Sequence, residues 1–300
     1  MCGFDGPIMK PLMKLASADY AWPLLSHEAV LSHIRALEFE GVDLGLFGNR
    51  SHIRPEVVQE DVPMWAGKIR ERLDRFGLDL ADVFFIPGTD PEPMATNHPD
   101  DAQRAEGRAL FAEILEFARR VDAPGMTMGS GPLFGDESPT ESIRRSAEEL
   151  RWRVAAAAHH GIEIRIEGGV GANTDTPAKL LELVELTPGL KLTVDYCHFV
   201  YQGITEEEIV PLLEHAGHFQ CRGAAPGRMQ VPFGENEIDY GQIIDRLVEL
   251  DYAGFFSIEY VWMNLWDCNR TENTMETVQF RDFARARLEG RDFTPAEVPI

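Results

Sequence analysis

Four stretches in the second half of the chain alternate apolar and polar residues, and each stops on a side chain that can bind a cation. They are Ile162-Glu163-Ile164-Arg165-Ile166-Glu167, Leu190-Lys191-Leu192-Thr193-Val194-Asp195, His218-Phe219-Gln220 and Phe256-Ser257-Ile258-Glu259. Successive residues of a strand point to opposite faces, so each stretch reads as a strand with one oily and one polar face. All four deliver an oxygen-bearing side chain at the same end. That pattern describes a barrel with a cation site at its mouth.

Strand-like and helix-like segments alternate along the whole chain. Strands are predicted over 13–18, 42–47, 78–86 and 125–128, then up to Glu167 and Asp195, then over 218–222 and 255–260. Helices are predicted over 26–40 with Ser26 as cap and Gly41 as stop, 64–76 stopped by Gly77, 100–121, 141–160 ended by Gly161, 177–186, 206–215, 240–250 and about 276–288. Such alternation argues an α/β fold with a parallel sheet. Eight units in this length fit a (β/α)8 TIM barrel, whose active sites sit at the carboxyl ends of the strands. A doubly wound open sheet is the alternative. No GxGxxG follows the first strand, and open parallel sheets bury both faces, which a polar face contradicts. Residues 1–300 therefore read as one barrel domain, with a short N-terminal extension and a surface tail from about Gly290.

Composition narrows the partners. Fifty acidic residues against 28 basic ones give a net charge of −22, which repels nucleic acid. A neutral sugar or polyol is compatible. The four cysteines are scattered without a CxxC, so neither a disulfide framework nor a structural zinc site is expected, and a reducing cytoplasm is the default. The N-terminal residues lack a signal-peptide pattern, and no run reaches the roughly 18 apolar residues of a membrane span.

Glu167, Asp195, Gln220 and Glu259 supply oxygen ligands only. Such a set suits one Mg²⁺ or Mn²⁺ per chain better than zinc. A divalent ion there polarises a carbonyl and stabilises an enolate or alkoxide.

On these residues the chain resembles the xylose isomerase-like barrel superfamily of sugar isomerases, epimerases and dehydratases. The resemblance implies metal ligands from strands five to eight in the order Glu, Asp, usually His, Glu, which Glu167, Asp195 and Glu259 match. It also implies substrate contact by the histidine of Asp195-Tyr196-Cys197-His198. The His-x-His of strand seven stands here as His218-Phe219-Gln220, so Gln220 replaces the usual histidine ligand. Segments 222–230, 238–240 and 258–262, Cys268-Asn269, Glu276-Thr277 and Gly48-Asn49-Arg50-Ser51-His52 are similar to the α subunits of bacterial C-glycoside deglycosidases. That narrower resemblance implies a lyase cleaving the C–C bond of 3-keto C-glycosides, working with a small β subunit in a higher oligomer.

Elimination beside a ketone needs a base, and His198 and His52 are the candidates, since imidazole titrates near neutral pH. His98, Arg228, Trp22 and Trp262 are the candidate substrate contacts, with Trp266 nearby. For His98 a helix-entry role within Asn97-His98-Pro99-Asp100 is an equal alternative. The leading functional reading is the C-glycoside lyase. A metal-dependent sugar or ketose isomerase or epimerase is the alternative, and a retained barrel acting as a binding scaffold is the non-enzymatic one.

Overall fold

In the computed structural model, which describes residues 13–88 and 90–295, eight parallel strands close into a barrel in sequence order. They are β1 Lys14–Ala18, β2 Gly41–Phe47, β3 Asp79–Ile86, β4 Gly125–Gly129, β5 Glu163–Glu167, β6 Lys191–Asp195, β7 Ala216–Cys221 and β8 Phe255–Ile258. Closure comes from β1 on β8, with Ser17 opposite Ile258. This is the TIM barrel that the alternation predicts, and the open-sheet alternative falls. The expected N-terminal extension, residues 1–12, and the last of the tail, 296–300, lie outside the described residues. Among the described residues no helix is long and apolar enough to cross a membrane.

The two faces of each strand have separate jobs. Val42, Leu44, Ile164, Ile166, Leu192, Val194, Phe219 and Phe256 are buried in the hydrophobic core cluster that the surrounding helices complete. The opposite parity carries Asp43, Asp82, Thr127, Arg165, Thr193, His218 and Ser257, all buried as well. Bonds between non-neighbouring strands put these residues inside the barrel. His218 Nε2 lies 2.9 Å from Asp43 Oδ2, joining β7 to β2, and Arg165 Nη1 donates to Asp82 Oδ1 at 3.0 Å, joining β5 to β3. Thr127 and Thr193 hydroxyls meet at 2.5 Å, joining β4 to β6. Most such barrels fill this space with branched aliphatic side chains. Here it is filled by a hydrogen-bonded polar network, which is stable only because its charges are paired.

Two expectations need correction. The helix predicted over 26–40 is His27–Ala36, capped by Ser26 as expected. It ends early because Glu38 takes a left-handed φ of 62° and turns the chain into β2. Gly41 is a strand residue, not the helix stop: a Cβ there would lie 2.5 Å from Phe255 Cε1 of β8. The helix predicted over 206–215 is broken into a helix Glu206–Ile209 and a 3-10 helix Val210–His215. Pro211 has no N–H to continue the α-helical ladder. A short helix, Cys197–Tyr201, forms directly after β6 and carries His198.

Candidate metal centre

The carboxyl ends of four adjacent strands bring the candidate ligands to one place. Glu167 ends β5, Asp195 ends β6, Gln220 lies near the end of β7, and Glu259 follows β8. Donor atoms of Glu167, Asp195 and His198 all lie within 4.8 Å of one another. Asp195 Oδ1 accepts the Cys197 N–H at 2.8 Å. Its Oδ2 faces His198 Nε2 at 3.7 Å and Arg222 Nη2 at 3.3 Å. The other arm of the Arg222 guanidinium reaches Glu259 Oε1, also at 3.3 Å. Gln220 Nε2 donates to Tyr20 Oη at 2.9 Å and to Asp43 Oδ2 at 3.1 Å.

The electrostatics are those of crowded, dry carboxylates. Burial pushes Glu259 up to about 8; Asp195 and Asp43 add to the shift, while Arg222 and a hydrogen bond from Tyr20 oppose it. Burial likewise raises Glu167 well above the carboxylate range, with Glu259 and Asp195 pushing the same way. His198 falls to about 4, mainly through burial, despite the attraction of Asp195. Burial works against the charge of Arg222, yet Asp195 and Glu259 more than overcome it and hold its pKa above the ordinary value.

The donor set fits a hard divalent cation. Glu259 Oε2 and Gln220 Oε1 are buried without a hydrogen-bond partner, which is the condition a cation relieves. Three acids share a single buried guanidinium, and burial and mutual repulsion hold Glu167 and Glu259 toward their protonated forms, a cost that a cation offsets. Glu167, Asp195, Glu259 and the Gln220 carbonyl oxygen could hold the ion, with His198 as the neighbouring nitrogen.

A cavity of ≈410 Å³ opens on this cluster through Glu167 and His198. Phe84, Met128, Gly169, Trp266 and Arg50 line it too. Gly169, at φ +151°, lets the loop after β5 close on His198: a Cβ there would lie 2.5 Å from the imidazole Cγ. Trp266 stands edge-on to His198 with ring centroids 5.8 Å apart. The Arg50 guanidinium lies 4.9 Å from the Phe47 ring centre and has no ion-pair partner among the described residues.

Other residues singled out from sequence fall elsewhere. Arg228 is exposed and pairs with Glu235 at 2.5 Å; the guanidinium at the site is that of Arg222. The Trp22 indole is buried, donates to Thr274 Oγ1 at 3.1 Å and packs against His33, so it fastens the barrel wall. Trp262 is solvent-exposed and outside the cavity lining, where Trp266 takes the aromatic position. His98 Nδ1 accepts the Asp100 N–H at 3.0 Å and its ring packs on Phe134, which is the helix-entry role. His52 does not line the cavity either. Its ring lies 5.8 Å from that of His27, which faces Asp19.

Arg222, Tyr20, Asp43 and Arg50 escaped the reading of the sequence as site residues. Arg222 and Asp43 carried a signal. Arg222 continues the inward parity of His218 and Gln220, and Asp43 interrupts Val42 and Leu44 as the later polar residues interrupt their strands.

The fold and site together define a closed parallel barrel with a buried acidic cluster at its mouth. A family model described as xylose isomerase-like TIM barrel matches residues 31–282, and the chain belongs to that family. L-ribulose-5-phosphate 3-epimerase UlaE of Shigella sonnei (strain Ss046) is 23% identical over 193 residues, covering 63% of this chain. The match spans 66% of that epimerase, just under two thirds of its length. A D-tagatose 3-epimerase-like protein superposes with a TM-score of 0.72 at 20% identity, covering 92% of this chain and 97% of the other. A xylose isomerase-like TIM barrel protein from Mycobacterium smegmatis, in complex with magnesium, gives 0.69 at 15% identity, covering 93% and 97%. At such identities the structural likeness carries the fold alone.

Proposed function

We propose that this protein is a divalent-metal-dependent epimerase or isomerase of a sugar or ketose. The observation that carries the reading is the buried oxygen cluster, with Glu259 Oε2 and Gln220 Oε1 unpartnered, opening on a cavity of sugar-accommodating size. This reverses the order in which the sequence ranked lyase and isomerase, because the sugar epimerases among the relatives support the second.

Glu167, Asp195, Gln220 and Glu259 hold one Mg²⁺ or Mn²⁺, which when bound polarises a substrate carbonyl and offsets enolate charge. The protein's own groups move the proton. Epimerisation beside a carbonyl removes a proton from one face of the carbon and returns one to the other. Glu167 on β5 and Glu259 after β8 stand three strands apart on an eight-stranded ring, so they approach from different sides. Burial raises both carboxyls in the metal-free site and a bound cation opposes that shift, so the two are poised to exchange a proton with substrate. His198, neutral at pH 7, lines the cavity and takes a substrate hydroxyl. Trp266 and Phe84 give the sugar an apolar wall. UlaE is an epimerase of a phosphorylated ketose, and Arg50 offers a guanidinium for such a group.

A second reading is C–C cleavage of a 3-keto C-glycoside, with a small β subunit in a higher oligomer. Gln220, standing where the His-x-His pattern has its second histidine, favours it. Incubation of the purified chain with Mn²⁺ and D-tagatose, D-psicose, L-ribulose or L-ribulose 5-phosphate in D2O separates the two. The epimerase reading expects metal-dependent deuterium at the carbon beside the carbonyl, seen by NMR. No exchange with any ketose, together with cleavage of a keto-glycoside once the partner is added, establishes the lyase.

A further inference from the structure

We propose that Arg222 is a built-in counter-ion that a divalent cation must displace from Asp195, so that this one residue sets how tightly the site holds metal. The inference rests on the metal site proposed above and concerns a residue outside the ligand set.

Arg222 is 4% exposed and extends the inward row of β7 beyond His218 and Gln220. Its backbone is clamped. The Tyr240 hydroxyl donates to its carbonyl at 2.7 Å, and the Cys197 thiol reaches the same oxygen at 3.2 Å. The side chain spans two carboxylates with one arm each, at 3.3 Å from Asp195 Oδ2 and 3.3 Å from Glu259 Oε1. Those contacts are long for charge-assisted bonds, which settle at about 2.7–2.9 Å. Its Nε is buried without a partner. The guanidinium is therefore stretched between two acids and saturates neither.

The two carboxylates differ in what they have left to offer. Glu259 keeps Oε2 free for an ion. Asp195 is more heavily committed: Oδ1 accepts the Cys197 amide, and Oδ2, the oxygen on the His198 side, is the one Arg222 holds. Metal and guanidinium thus compete for a single oxygen. Charge permits both to remain nearby. With the three acids ionised, one guanidinium and one divalent ion balance them. The loaded site keeps Arg222 on Glu259 while Asp195 turns to the ion.

A residue that merely orients the ligands makes the opposite prediction. Isothermal titration of Mn²⁺ into chelator-stripped, full-length protein decides between the two roles, with thermal midpoints measured with and without Mn²⁺. Arg222→Met is expected to bind Mn²⁺ roughly tenfold tighter or more than wild type. Its metal-free midpoint falls, because two buried carboxylates lose their partner, and Mn²⁺ raises the midpoint by more than in wild type. Arg222→Lys keeps the charge without the fork and falls between them. If Arg222→Met does not fold, Arg222→Gln and Arg222→Lys carry the comparison. Equal or weaker Mn²⁺ binding in the folded variants overturns the inference and makes Arg222 a ligand-orienting residue, with the metal reading intact. No Mn²⁺ binding by wild type or any variant overturns both.

Discussion

Two arginines of identical chemistry have different fates in this molecule, and only the fold tells them apart. Arg228 is salt-bridged to Glu235 in solvent, whereas Arg50 lies at the cavity wall with no ion-pair partner among the described residues. Replacing Arg228 by Ala is expected to leave kcat/KM within about twofold, since exposed ion pairs contribute little. Arg50→Ala is expected to raise KM about tenfold or more for a phosphorylated ketose and far less for the free sugar. Steady-state kinetics on both substrates checks this, and equal effects of the two substitutions would remove Arg50 from the binding site. At this scale the sequence was legible where parity and strand end coincided, as at Glu167, Asp195, Gln220 and Glu259. Loop residues such as His52 and Arg228 carried no such constraint. Their directions are set by contacts with His27 and Glu235 that local pattern does not encode.

The elements were legible because each carries its own stop and start. Gly77 closes the helix Val62–Phe76 at φ 62°, and Ser138 caps the helix Pro139–Ala158 in a reciprocal box with Glu141. Gly41 shows where that logic fails. A glycine after a helical run reads as a stop signal, yet here it makes room for the Phe255 ring of β8, on the far side of β1 and more than 200 residues away in sequence. Gly41→Ala is expected to destabilise the fold by about 1–3 kcal/mol through overpacking, at unchanged metal affinity. Urea denaturation measures the first and Mn²⁺ titration the second; a neutral effect on stability would mean that the Phe255 ring moves aside freely.

For the whole molecule, the acidic mouth ties stability to pH and to metal. Glu259 is raised from 4.5 to about 8 in the metal-free fold, and Glu167 is shifted in the same direction. A raised acid keeps its proton in the folded state where the unfolded chain has lost it. Folding stability therefore declines as pH rises from about 4.5 to about 8, and below that window the loss is absent. The thermal midpoint of stripped protein is expected to fall across this range, and Glu259→Gln to flatten the fall. Saturating Mn²⁺ should stabilise more at pH 8 than at pH 5, because the ion binds the ionised carboxylates. A midpoint equally pH-dependent in wild type and Glu259→Gln would show that general surface charge is the cause. The −22 net charge was readable from composition, but the gathering of Glu167, Asp195 and Glu259 at one mouth needed the closed barrel.

The polar filling of the barrel reaches beyond structural support. Gln220 donates to both Tyr20 and Asp43, and Asp43 meets His218 on the floor. An aliphatic filling would insulate the mouth from the floor. This one instead connects them, and because His218 and Gln220 share Asp43 Oδ2, a change at His218 is expected to alter the orientation of Gln220 without touching the cavity. Any scheme to reshape this protein's mouth must therefore include residues of the barrel floor as well as the loops around it.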